Sequence, residues 1–238
     1  MYYLSENNPK YQGLATLLKS VTLDYSFENN AGIKVADLCQ SDNEISFANL
    51  VKQLSKEMPT IGVCGKDKNV ITGMLMQVFS SFKNVSYLME NEGFLKENSD
   101  YFCLAMHDED ILAYMPEYAI ISSSGKMLSR YINFSRNVKE AIICDIKEVD
   151  NIILNDVDIP FFSYGIDEKA DFSACNLQID EDYGNCQFDL NFKSQYISSF
   201  TLPFTDKALI NASLAVIALA TFNCFDARKI EISLSQYR

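Results

Sequence analysis

The chain contains no tryptophan, one histidine (His107), five prolines and nine glycines in 238 residues. A lone histidine argues against a histidine-rich metal site. No internal repeat, linker or low-complexity tract is present, which excludes fibrous and solenoid architectures. No apolar run reaches the roughly 20 residues of a membrane span. Met1-Tyr2-Tyr3-Leu4-Ser5-Glu6 has neither a basic start nor an apolar stretch, so no secretory signal is expected. Positive charge is also scarce: 20 Lys and Arg face 32 Asp and Glu, giving a net charge of −12. Nucleic acid and anionic membrane are therefore not expected as partners, because both need a basic face. A nucleotide would require lysines concentrated locally. No Cys-x-x-Cys pair occurs among the seven cysteines (39, 64, 103, 144, 175, 186 and 224). Scattered, odd in number and mostly within apolar segments, they read as small core residues in a reducing cytoplasm.

What is present is a hydrophobic content of 48%, enough for a folded chain of one or two domains. Residues 11–18 suit a helix, Val21–Tyr25 and Gly32–Val35 suit strands, and Ile45–Met58 places Ile45, Phe47, Leu50, Val51 and Leu54 on one helix face. Pro59 closes that helix. Ile61-Gly62-Val63-Cys64 then reads as a buried parallel strand. A polar turn, Gly65-Lys66-Asp67-Lys68-Asn69, leads into a helix faced by Val70, Ile71, Met74, Leu75, Val78, Phe79 and Phe82. Apolar runs at Val85–Met89, Phe102–Met106, Tyr118–Ile121 and Ala141–Ile146 alternate with polar or helical pieces, the pattern of βα units on a parallel sheet. After Phe161 the pattern changes. Asp171–Ile179, Gln187–Phe192 and Tyr196–Phe204 read as consecutive strands, with Asp182-Tyr183-Gly184-Asn185 as a hairpin turn. Lys207–Cys224 is apolar nearly all round and predicts a buried helix, and Asp226 is placed to cap a last one through Leu234.

Strand, glycine-containing turn and helix over residues 60–82 is the layout of a phosphate-binding loop. Ile61–Thr72 resembles the Mur ligase loop I-A-V-T-G-T-H-G-K-T-T-T. Four further landmarks follow that family's order. Gly13–Leu18 resembles the helix opening after the UDP loop in the muramate–alanine ligase branch. Ile111-Leu112 with Pro116–Ser122 resembles F-L-x-x-x-P and its following strand. Tyr164-Gly165-Ile166 through Ala170–Ala174 resembles Y-G followed by A-D-x-x-A. Leu202-Pro203-Phe204 leading to Asn211–Ala218 resembles the segment around G-x-H-N-x-x-N. The resemblance implies an α/β chain with a shortened Rossmann-like, UDP-binding-type domain over residues 1–58. A P-loop-type central Mur ligase domain, with a mainly parallel sheet, would occupy residues 59–238. A third domain, which in the family closes over ATP, would begin about where this sequence stops. ATP and magnesium are the family's cofactors.

The departures fall where that chemistry sits. The family's loop lysine is Asn69, the glycine before it is Lys68, and the magnesium-holding threonine is Val70. Where the family has E-A-x-E-x-D, this chain has Cys103-Leu104-Ala105-Met106-His107-Asp108, and only Asp108 matches. His107–Asp110 reads as an exposed loop rather than a metal site. T-N-x-x-x-D-H becomes Ser122–Leu128, without the Asp or the His. Of G-x-H-N-x-x-N only Asn211 survives, and the UDP loop corresponds to Ser5–Lys10, where Glu6 would repel a pyrophosphate. Gly65, Lys66, Lys68, Asn69 and Asn211 are the candidate residues of a vestigial nucleotide site. The expectation is a non-catalytic, cytoplasmic, Mur-ligase-like binding or scaffold module that uses no cofactor. Its expected partner is a second copy or another cell-wall ligase, through a surface including Met127 and Leu128. The alternatives are a residual nucleotide or UDP-sugar binder, and an ATP-dependent muramate–amino acid ligase that needs a further domain or partner.

Overall fold

The computed structural model describes residues 33–34 and 58–237, except 90–92, 97–98, 107–113, 123–132, 153–158 and 167–168. The helix expected at 11–18, residues 45–57 of the helix expected to end at Met58, the strand at Val21–Tyr25, the UDP-loop counterpart Ser5–Lys10, and His107–Asp110, Met127 and Leu128 lie outside these residues.

Among the described residues eleven strands form one sheet: β1 (Ile33–Lys34), β2 (Thr60–Cys64), β3 (Val85–Leu88), β4 (Gly93–Leu95), β5 (Tyr101–Ala105), β6 (Tyr118–Ile121), β7 (Ala141–Asp145), β8 (Phe161–Gly165), β9 (Phe172–Asp180), β10 (Asn185–Phe192) and β11 (Gln195–Leu202). Their spatial order is β1-β4-β3-β5-β2-β6-β7-β8-β9-β10-β11. From β3 through β9 the neighbours run parallel. β1 and β4 add an antiparallel edge, and β9–β11 form an antiparallel meander. The sheet is mainly parallel, as the alternation of apolar runs predicts.

Every residue of β2 and of β7 is buried, which is why these strands read as continuous apolar runs rather than alternating ones. The meander does alternate, with Cys186, Phe188 and Leu190 of β10 turned inward. Among the described residues four helices accompany the sheet: α1 (Lys68–Phe79), α2 (Ile146–Ile152), α3 (Lys207–Phe222) and α4 (Ala227–Ser235). α3 buries ten residues, Ile210 and Ala212–Ala220. Asp206 caps it through Ala208 N–H at 2.8 Å, and Asp226 caps α4 through Lys229 N–H at 3.0 Å. Side chains of α1, α3 and α4 join those of the strands in one hydrophobic core.

Three elements escape the sequence reading. β4 is only three residues long, β8 lies where the pattern seemed to change character, and α2 follows β7 without a break. The last expected strand is shorter than predicted, because the chain bends at Pro203 after Leu202. Cys64, Cys103, Cys144 and Cys186 are buried as expected, Cys175 is half-buried, and Cys224 is exposed.

Candidate functional site

The chain order creates one switch in the sheet. After β2 it crosses past β5's place to β3, returns as β5, then continues on the other side of β2 as β6, β7 and β8. In open parallel sheets such a switch leaves a crevice at the carboxyl ends of the flanking strands. Here those ends deliver Gly65 after β2, Met106 after β5 and Ser122 after β6.

The loop between β2 and α1 is fastened to β6. Gly65 has φ +102°, a conformation that favours glycine, and a Cβ there would lie 2.8 Å from the Ser122 carbonyl carbon. Ser122 N–H donates to Cys64 O at 3.0 Å. The Ser122 hydroxyl donates to the same carbonyl at 3.1 Å and accepts the Asp67 N–H at 3.2 Å. One loop amide that a phosphate cradle would offer to a ligand is therefore bound by the protein's own side chain. Lys66 is exposed, while Lys68 and Asn69 are half-buried in the first turn of α1. Val70 follows them, and its carbonyl receives the Tyr237 hydroxyl at 3.5 Å.

Met106, the end of the apolar run Phe102–Met106, is fully buried. A Cβ at Gly62 would meet its Sδ at 2.8 Å and its Cε at 2.9 Å. Gly62 stands where the family motif has alanine, and Met106 where it has glutamate. The missing methyl makes room for the thioether, so the crevice beside β2 is filled by an apolar group at the position of an acid.

Asn211 lies with a different group of residues. Its Nδ2 donates to Asp145 Oδ2 at 2.9 Å, and Asp145 Oδ1 accepts the Lys147 N–H at 2.9 Å. Asp145 ends β7 and is 4% exposed. Tyr164, near the end of β8, is fully buried, and its hydroxyl has no hydrogen-bond partner among the described residues. Burial holds its ionisation well above the ordinary tyrosine value, and the negative fields of Asp145, Cys144, Asp67 and Cys64 push the same way. Tyr164 stands beside Asp145 across the β7–β8 ladder. Asp145 and the Tyr164 hydroxyl were not singled out as site residues from sequence. The available signal was position, since Asp145 ends β7 and Tyr164 precedes the last residue of β8 at the carboxyl edge. Among the described residues, no group of three or more His, Cys, Asp or Glu gathers as a metal site would require.

The chain is 27% identical over 208 residues to the UDP-N-acetylmuramate–L-alanine ligase of Limosilactobacillus reuteri, covering 81% of this chain and 47% of that protein. The chain is related to the Mur ligases. It spans about half the length of that curated relative. Solved structures carry the same fold. The UDP-N-acetylmuramate–alanine ligase of Thermotoga maritima superposes with a TM-score of 0.65 at 17% identity, over 81% of this chain and 47% of that one. A UDP-N-acetylmuramate:L-alanyl-γ-D-glutamyl-meso-diaminopimelate ligase from Neisseria meningitides superposes at 0.62 with 15% identity, over 94% of this chain and 87% of the other. The Mur ligase MurF of Thermotoga maritima, solved in complex with ADP, gives 0.63 at 12% identity over 83% and 54%. No protein-family model matches. No helix among the described residues is long and apolar enough to cross a membrane.

Proposed function

We propose that this Mur-ligase-like chain belongs to the setting of peptidoglycan precursor synthesis as a non-catalytic cytoplasmic binding or scaffold module. The observation that carries the reading is Met106, buried against Gly62 in the switch-point crevice. Phosphoryl transfer depends on positioned charge and magnesium, and a dry thioether supplies neither. Asn69 and Val70 stand at the lysine and threonine positions of the loop, and Ser122 holds the Asp67 amide. The donor set does not fit Mg-ATP.

The test is acyl-phosphate-dependent ligation of L-alanine to UDP-N-acetylmuramate by the purified chain, followed as phosphate release and product mass. No turnover above a no-enzyme control is expected, and ligation above that background would overturn the reading. A co-purification with intact Mur ligases, lost when the fold is unfolded by mutation of β2, is the matching positive test of the scaffold role.

A further inference from the structure

We draw no further inference here: the strongest candidate, the row of half-buried rings of Tyr101, Tyr118, Phe222, Phe162 and Phe192 along the edge of the sheet where the parallel strands begin, carries none, because nothing in the structure shows what covers it.

Discussion

Asn211 on α3 donates to Asp145 at the end of β7, at 2.9 Å, and this bond ties the buried helix to the carboxyl edge of the sheet. The sequence had marked Asn211 as the last survivor of a ligand-binding motif. Its observed partner is a carboxylate of the same chain, and the Lys147 amide is that carboxylate's other donor.

Asn211→Leu should therefore act on stability. It removes a donor to a charged group that is 4% exposed, and such hydrogen bonds contribute about 1.5–3 kcal/mol. Urea unfolding should show a loss in that range. Asp145→Asn in the same background should recover part of it, since the uncompensated charge is gone. An Asn211→Leu protein as stable as the parent would remove the bond's structural role.

Tyr164→Phe should be neutral or stabilising at neutral pH, because the hydroxyl it removes is buried without a described partner and costs about 1–3 kcal/mol to leave unsatisfied. The alkaline limb separates this from simple repacking. A tyrosine whose folded ionisation lies above its ordinary value of 10.0 stabilises the fold fully below that pH. The contribution is lost as pH rises towards the folded value, because the unfolded chain releases its proton first. The parent should lose stability above its neighbours' trend beyond pH 10.0, and the phenylalanine variant should lose less. Denaturant midpoints from neutral to strongly alkaline pH, compared between the two proteins, are the measurement.

Much of this architecture is legible in the residues. β2 and β7 are unbroken apolar runs because both of their faces are covered, and α3 is apolar all round because ten of its residues are buried. β4 and α2 are not legible: three residues are too few for a period, and Ile146 continues the apolar run of β7 into a helix. The site was half legible. Gly65 announced the turn, and its positive φ and close approach to Ser122 follow from needing a residue without a Cβ. Met106 read only as the end of the apolar run Phe102–Met106, because the neighbouring Gly62, which opens the space it fills, belongs to another strand. A vacancy made by one residue and filled by one 44 positions away has no local signature.

That pairing predicts strong coupling. Gly62→Ala should destabilise by about 1–3 kcal/mol, the usual cost of overpacking, because the Met106 sulfur would lie 2.8 Å from the new Cβ and the side chain is fully buried. Met106→Ala should also destabilise, by leaving a cavity. The double variant should be less unstable than the sum of the two, since contacting residues are not additive. A double-mutant cycle closing to zero would show that the two positions do not share this space.

The last prediction concerns nucleotide. Asn69 replaces a lysine that would meet phosphate, Val70 a hydroxyl that would hold magnesium, and Met106 an acid beside them. Each lost charge-assisted contact is worth about 1–3 kcal/mol, and three of them move a micromolar site to millimolar or weaker at roughly 1.4 kcal/mol per tenfold. The Ser122 hydroxyl adds to this by holding the Asp67 amide at 3.2 Å. Because a ligand that binds only the native state must raise the melting temperature, saturating Mg-ATP should leave thermal unfolding of the chain where it is. UDP-N-acetylmuramate, titrated separately, distinguishes loss of the nucleotide cleft from loss of both sites. A calorimetric Mg-ATP dissociation constant below about 50 μM, some 6 kcal/mol of binding, would mean that Lys66 and Lys68 supply replacement charge, and that the filled crevice beside β2 still leaves a working nucleotide site.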